Sequence, residues 1–154
     1  IKIYGCWMLG RQFNQNEKEQ GLILVDTSVW IDFFGHPASI YAIELKDLIK
    51  RDADICLSEI IFTEILQGIK DDKIFEEIKD YLISFPIFKA RGLETYIQAA
   101  GIYRLCRKKG KSISKTVDAL IAAIAIENHL LLFHKDKDFD SISSYTGLKI
   151  YKPN

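Results

Sequence analysis

Short apolar runs alternate with longer amphipathic segments along most of this chain. The run LILV at 22–25 is continuous, which is typical of a strand buried on both faces of a parallel sheet. Similar short runs occur at 54–57 and 130–133, and briefer ones at 87–88 and 148–150. Apolar residues at helical spacing predict helices near 27–34, 39–51, 59–69, 72–84, 92–109, 115–128 and 138–144. This alternation predicts an α/β fold with a central, mostly parallel sheet of four or five short strands, covered by helices on both faces.

The first twenty residues do not follow this pattern. The stretch 11–21, RQFNQNEKEQG, is polar and has neither a helical nor a strand period. We expect residues 1–20 to be an N-terminal extension or a tag-derived segment, in which Trp7 and Phe13 are the residues suited to dock on another surface. Residues 21–154 are predicted to form one domain. Their length suits a single domain, and we find no repeat, no low-complexity tract and no sign of a second domain in them.

The composition is that of a folded protein with no overall charge. The 154 residues are 48% hydrophobic, and 21 basic side chains balance 21 acidic ones. This balance excludes a histone-like basic protein, but not a nucleic-acid enzyme, because net charge does not show how charges cluster. Three distant cysteines without a CxxC pair indicate neither a disulfide framework nor a zinc knuckle. Neither a signal peptide nor an apolar run of the ~20 residues that span a membrane is found, so we expect a soluble cytoplasmic protein.

Two aspartates follow strands of the predicted sheet. Asp26 comes directly after the first apolar run, and Asp136 follows the run 130–133 after only two residues. If the two strands are parallel, both carboxylates lie at the same edge of the sheet, where ligand sites form in such folds. For each aspartate taken alone, a turn or helix cap is a sufficient explanation.

Two further carboxylates lie on helices with apolar surroundings. Positions 60, 61, 64, 65 and 68 share one helical face, which places Glu64 in the middle of an apolar stripe. Gly68, one turn later, would leave room for another group to approach. A shift in the register of the stripe would instead place Glu64 at its edge. Asp118 is the only charged residue in the run TVDALIAAIAI, which is apolar enough to be buried nearly all round. Its alternative role is to cap the first turn.

The four acids together suggest a metal site. Clustered carboxylates raise one another's pKa unless a cation neutralises them, and oxygen ligands suit Mg²⁺ or Mn²⁺. The histidines at positions 36, 129 and 134 have no zinc-binding spacing. His134 is close enough to Asp136 to touch such a site, but a surface or packing role explains it more simply.

A basic segment leads into the helix that carries Asp118. No acid occurs from Thr95 to Val117, and the bases there are Arg104, Arg107, Lys108, Lys109, Lys111 and Lys115. Such a cluster suits the phosphates of RNA, although cations also suit a solvated helix end. Residues 44–80 hold 11 acids and 6 bases and look unfit for RNA.

At these residues the chain resembles PIN-domain ribonucleases, and most of all the VapC-type toxins of bacterial and archaeal toxin–antitoxin pairs. The matching pieces, with the helices between them, cover residues 22–151 and are LILVDTSVWIDFF (22–34), ICLSEIIFTEILQGI (55–69), SISKTVDALIAAIAIENHLLLFHKDKDF (112–139) and LKIY (148–151). The resemblance implies a PIN-like, three-layer α/β/α fold.

The resemblance also assigns roles to individual residues. It implies that the catalytic and metal-binding acids are Asp26, Glu64, Asp118 and Asp136. His134 stands where the family commonly has a threonine, and Asp138 is the substitute if Asp136 does not bind. Thr27 and Ser28 match the hydroxyls beside the first acid, where one orients a metal-bound water; ordinary helix capping is the alternative.

The implied chemistry is Mg²⁺- or Mn²⁺-dependent hydrolysis of RNA, which leaves a 5′-phosphate and a 3′-hydroxyl because water attacks. The implied partners are an RNA substrate, a cognate antitoxin protein and a second copy of the chain. A PIN-like nuclease acting on structured DNA or in RNA maturation is an alternative, as is a non-catalytic nucleic-acid-binding module. A haloacid-type phosphatase would need an aspartate where Ser28 stands, and a receiver domain has no place for the pattern around Glu64.

Overall fold

The computed structural model describes residues 21–153, in which strands and helices alternate. The strands are β1 (Ile23–Val25), β2 (Ile55–Ser58), β3 (Ile87–Phe88), β4 (Leu131–Phe133) and β5 (Lys149–Ile150). The helices are α1 (Thr27–Gly35), α2 (Ile40–Lys50), α3 (Glu59–Gln67), α4 (Asp72–Ile83), α5 (Leu93–Lys108), α6 (Thr116–Glu127) and α7 (Lys137–Ser143). The predicted extension, with Trp7 and Phe13, lies outside the described residues.

The sheet is parallel throughout the described residues, in the order β3-β2-β1-β4-β5. The central strand β1 pairs with β4 in the register Val25 to Phe133, and with β2 in the register Leu24 to Cys56. Every residue of β1 and β2 is buried. Since alternate residues of a strand face opposite sides, both faces of the sheet are covered, as the continuous apolar runs predicted.

The predicted elements are all present, with ends that differ by one or two residues. Helix α1 begins at Thr27, directly after β1, because the Asp26 side chain caps it. Strand β2 extends to Ser58, whose hydroxyl accepts a hydrogen bond from the Ile61 amide at 3.2 Å and so starts α3. None of the helices in residues 21–153 is long and apolar enough to cross a membrane.

The parallel sheet brings three junctions between a strand and a helix to one edge. Asp26 caps α1 after β1, Ser58 caps α3 after β2, and Asp136 caps α7 after β4. Because all three strands run in the same direction, these caps lie at their common carboxyl edge. We therefore expect the four predicted acids near this edge.

Candidate active site

Asp26 is fixed at the carboxyl end of β1 by bonds to the main chain and to α1. Its amide donates to the Phe133 carbonyl oxygen at 2.9 Å. Its Oδ2 accepts from the amide and the hydroxyl of Ser28, at 2.9 Å and 2.6 Å. Burial raises the pKa of Asp26, the two bonds from Ser28 oppose that rise, and the nearby charge of Glu64 adds to it. Asp26 therefore caps a helix and also shares its surroundings with a second acid.

Asp118 is a buried acid without a compensating donor. It lies in the first turn of α6, is 6% exposed, and its Oδ2 has no hydrogen-bond partner within the described residues. Burial raises the pKa of Asp118 to about 7, and the negative charges of Asp136 and Asp26 contribute to the rise. Lys115 acts in the opposite direction. Simple capping does not account for such a group, because a buried carboxylate is unfavourable unless it is paired.

Glu64 lies at the edge of the buried face of α3, and the prediction that it lies in the middle is wrong. It is half-buried, whereas Ile61 and Ile65 are buried and Gly68 is exposed. Among residues 21–153, a Cβ at Gly68 would meet only carbonyl oxygens of its own helix, at 3.5 and 3.9 Å, so no other described element packs closely there. At this edge Glu64 Oε2 accepts a hydrogen bond from the Thr27 hydroxyl at 2.7 Å. This contact joins α3 to the start of α1 beside Asp26.

Asp136 and Asp138 have different surroundings. Asp136 is half-buried at the N-cap of α7, where its Oδ1 accepts from the Asp138 amide at 3.0 Å. Asp138 Oδ2 accepts from both the amide and the hydroxyl of Ser114, at 2.7 Å and 2.6 Å. Asp138 thus connects α7 to the segment that leads into α6.

The four predicted acids are neighbours, but they do not form a finished coordination shell. The charges of Asp26 and Asp136 act on Asp118, and the charge of Glu64 acts on Asp26. Across residues 21–153, no group of three or more histidine, cysteine, aspartate or glutamate side chains is arranged to hold a metal ion. Their chemistry nevertheless fits a hard cation, because an unpartnered carboxylate oxygen and mutual repulsion are what such an ion would relieve.

The two hydroxyls beside Asp26 hold acids in place. Thr27 donates to Glu64, and Ser28 donates to Asp26 while its Oγ accepts from the Lys135 amide at 3.1 Å. Each hydroxyl therefore links two elements at the carboxyl edge of the sheet.

His134 has the surroundings of a packed side chain. It is 8% exposed, and its ring lies against Phe139 with 5.2 Å between the ring centroids. Burial lowers its pKa. This environment favours the packing role over a part in the site.

An ion pair beside the site was not found from the sequence. Lys135 Nζ lies 2.9 Å from both carboxylate oxygens of Asp32, and Ser39 Oγ donates to Asp32 Oδ2 at 2.5 Å. Burial acts to raise the pKa of Asp32, but the bonds from Ser39 and Lys135 outweigh it and lower that pKa. The available signal was that Asp32 is the only charge in the run VWIDFF, the same signal that singled out Asp118.

The six predicted RNA-binding side chains are all exposed, and two of them line a groove between α5 and α6. Arg104 and Arg107 line an open groove of about 420 Å³ between α5 and α6, with Tyr96, Ala99, Ala100, Tyr103, Thr116 and Leu120. The α6 residue Thr116 precedes Asp118 by two positions, which is a rotation of about 200° around a helix. The groove therefore lies on the far side of α6 from the acids, whereas the charge of Lys115 acts directly on Asp118.

The family of this chain follows from comparison with known proteins. The model of the PIN domain family matches residues 23–144, a range that contains all four acids. This chain belongs to the PIN-domain family. The PIN domain is 36% identical over 129 residues to a VapC ribonuclease of Mycobacterium bovis, covering 83% of the chain and 96% of that relative. It is 32% identical over 136 residues to Ribonuclease VapC1 of Methanocaldococcus jannaschii, covering 88% and 90%.

Solved structures confirm the predicted PIN-like α/β fold. The complex VapBC2 from Rickettsia felis, bound to a DNA fragment from its promoter, contains a chain that matches with a TM-score of 0.67. The match covers 85% of this PIN domain and 98% of that chain, at 18% identity. A chain of FitAcB from Neisseria gonorrhoeae matches with a TM-score of 0.62 and 23% identity, covering 86% and 98%. The arrangement of strands and helices is thus retained although most residues differ.

Proposed function

We propose that this PIN domain is a metal-dependent endoribonuclease, the toxin of a type II toxin–antitoxin pair. The observation that carries the proposal is the buried Asp118 carboxylate, on which the charges of Asp26 and Asp136 act and which has one oxygen without a hydrogen-bond partner among residues 21–153. Glu64 joins this set because its charge acts on Asp26. The substrate class is supported by relatives named as VapC ribonucleases, which are at least 30% identical over most of the chain.

The four acids would hold Mg²⁺ or Mn²⁺. Such a cation would neutralise the charges that raise the pKa values of Asp26 and Asp118, and oxygen-only donors suit these two metals. When bound, it supplies an activated water and charge neutralisation on the departing oxygen. Asp138 has one oxygen committed to Ser114, so we assign it a positioning role and keep it only as a substitute ligand.

The chain's own hydroxyls and bases have separate tasks in this proposal. Ser28 orients Asp26, and Thr27 orients Glu64. Attack by water rather than by the 2′-hydroxyl would leave a 5′-phosphate and a 3′-hydroxyl.

The lysines near the start of α6 would bind RNA phosphates. Lys115 is the base whose charge acts on Asp118. Lys111 and Lys109 precede it on the connection from α5, and Lys108 is the last residue of α5. Phosphate contacts of this kind give affinity without sequence preference. Arg104 and Arg107 contribute less, because their groove lies on the other side of α6.

We also propose a cognate antitoxin, self-association and a cytoplasmic location. Structural neighbours of this PIN domain are chains of VapBC complexes, which supports the antitoxin. Exposed apolar side chains on α5, at Leu93, Tyr96 and Ile97, support association with another protein chain. Light scattering of the purified chain, alone and with a co-expressed antitoxin, tests both partners.

The decisive experiment is RNA cleavage by the purified chain and its acid variants. Asp26→Asn and Asp118→Asn are each expected to abolish cleavage in Mg²⁺ or Mn²⁺, while circular dichroism shows a retained fold. Asp72→Asn, on the exposed surface of α4, is the control and should cleave normally. Cleavage that persists in EDTA, or in both site variants, would refute the proposal. Cleavage of structured DNA but not of RNA would favour the DNA-directed alternative.

A further inference from the structure

The ion pair between Asp32 and Lys135 is built more firmly than a surface contact. The Asp32 side chain is 4% exposed, and both of its oxygens lie 2.9 Å from the Lys135 ammonium. The Ser39 hydroxyl, which also caps α2, gives it a third hydrogen bond. A buried carboxylate needs such partners, because losing one leaves an uncompensated charge.

Lys135 is held at two points on one face of α1. Its main-chain amide donates to Ser28 Oγ at 3.1 Å, and its ammonium binds Asp32. Ser28 and Asp32 are four residues apart, so they lie one above the other on the helix. Since Ser28 also donates to Asp26, the first contact connects Lys135 to the acid that follows β1.

The residue after Lys135 is Asp136. Only His134 and Lys135 separate β4 from Asp136, the N-cap of α7. Contacts that fix Lys135 therefore also restrict the position of the Asp136 main chain, from which its carboxylate extends. The negative charges of Asp118 and Asp136 act on each other and would push this connection away from α6. The contacts of Lys135 with Ser28 and Asp32 of α1 hold the connection against that displacement.

We propose that the Asp32–Lys135 pair is a positioning device that holds the β4–α7 connection so that the Asp136 carboxylate stays beside Asp118. Neither side chain is a catalytic residue, because both act through Asp136. The inference rests on the proposed function for its catalytic consequence, but the placement of Asp136 is a property of the protein without metal or RNA.

The critical variant is Asp32→Asn, because the buried Asp32 side chain cannot itself contact RNA. We expect its kcat for RNA cleavage to fall by about 10–100-fold, and its Mn²⁺ affinity by about 10-fold, as for other groups that orient metal ligands. Its KM for RNA should stay within about twofold, because a residue that acts only after binding changes kcat. Lys135→Gln should show the same losses, and the double variant no more than either, since one device is removed in each. Lys135→Arg, which keeps the ion pair, should restore most of the activity.

The matched control is Arg51→Gln. Arg51 lies 3.6 Å from the largely buried Glu44 and 3.2 Å from the Tyr151 hydroxyl, at the end of α2. This variant removes a comparable contact at the junction that leads into the amino end of β2. It should lower the melting temperature without changing kcat or Mn²⁺ affinity.

A second readout needs neither metal nor RNA. The Asp138 amide donates to Asp136 Oδ1, so its ¹H–¹⁵N chemical shift reports the placement of Asp136. We expect this resonance to move in Asp32→Asn and to stay in place in Arg51→Gln. A folded Asp32→Asn protein with an unmoved Asp138 resonance, unchanged Mn²⁺ affinity and unchanged kcat would overturn the inference. If the unaltered chain binds Mn²⁺ but cleaves no RNA, the proposed function fails, while a displaced resonance and weaker Mn²⁺ binding in Asp32→Asn still support the positioning role.

Discussion

At the scale of single residues, the acids at and beside the candidate site differ in how many hydrogen bonds and ion pairs compensate their charge. Asp32 has a lysine and a serine, and its pKa is lowered. Asp26 has two bonds from Ser28, but its pKa is raised because burial outweighs them. Asp118 has an oxygen without a hydrogen-bond partner among residues 21–153, and burial together with two acidic neighbours raises its pKa to about 7. The least satisfied of the three is therefore the one that a cation would stabilise most.

Asp118→Asn should stabilise the metal-free protein at high pH. Because the folded-state pKa is about 7 against an ordinary value of 3.8, ionisation of Asp118 makes the folded protein lose stability as the pH rises from about 4 to about 7. Removing the charge should raise the free energy of unfolding by about 2 kcal/mol at pH 8, and by little at pH 4. Urea unfolding in EDTA at pH 4, 6 and 8 measures this. Equal stabilities at pH 8 would contradict it, and Asp72→Asn should show no such pH dependence.

Thr27→Val should reduce activity more than stability. The substitution keeps the shape of the side chain but removes the hydrogen bond to Glu64, so Glu64 loses its fixed orientation. We expect cleavage to slow by about 10-fold, and the free energy of unfolding to fall by no more than about 1 kcal/mol. Thr63→Val, which removes an exposed hydroxyl bonded within α3, is the control. A Thr27→Val protein as active as the control would argue against an orienting role.

At the scale of elements, the site depends on how connections are tied to one another. The β4–α7 connection is tied to α1 through Lys135. The segment before α6 is tied to α7, because Ser114 donates to Asp138. The second tie also fixes the start of α6, where Asp118 lies and where the basic connection from α5 arrives. The charges on that connection are therefore held close to the acids.

Charge reversal of the basic connection should weaken RNA binding and its dependence on salt. In the variant Lys108→Glu with Lys109→Glu, each lost phosphate contact should reduce the slope of log affinity against log salt by about 0.7. Lys46→Glu, on the exposed surface of α2, is the matched control and should leave the slope unchanged. Fluorescence anisotropy with a single-stranded RNA, at several salt concentrations, measures both. An unchanged slope in the double variant would reject this segment as a phosphate-binding surface.

At the scale of the whole molecule, the net charge is zero, but acidic and basic side chains are concentrated in different parts of the chain. The acids at the carboxyl edge of the sheet lie beside an exposed lysine-rich connection, while residues 44–80 carry an excess of acids. These opposite local charges cancel in the total. Net charge therefore says nothing against an RNA substrate, because phosphates respond to the local potential.

A chain that starts at Gly21 should fold and cleave RNA as the full chain does. Residues 21–153 contain a five-stranded sheet, helices that cover it and all four predicted acids. We expect the melting temperature to change by less than about 3 °C, because the hydrophobic core within residues 21–153 is retained in the shorter chain. Calorimetry and the cleavage assay on both chains measure this. A large loss of stability would show that residues 1–20 belong to the domain.

The order and type of the elements could be predicted from local sequence patterns, and the same patterns selected most of the candidate site residues. Apolar runs of two to four residues marked the strands because both faces of a parallel sheet are buried. The spacing of apolar residues marked the helices. Asp26 and Asp136 could be selected because each follows an apolar run, and Asp118 because it is the only charge in an apolar helix. Apolar runs, apolar spacing and an isolated charge are local properties, because each can be recognised within a short segment of the sequence.

Which of these groups come into contact depends on the packing of the elements. The contact between Asp32 and Lys135 joins residues 103 positions apart, and it exists because β4 lies beside β1 in the sheet. The edge position of Glu64 depends on how α3 packs, and the separation of Arg104 and Arg107 from the acids depends on which side of α6 faces α5. Such contacts depend on strand order and helix rotation, which the periodicity of a single segment does not specify.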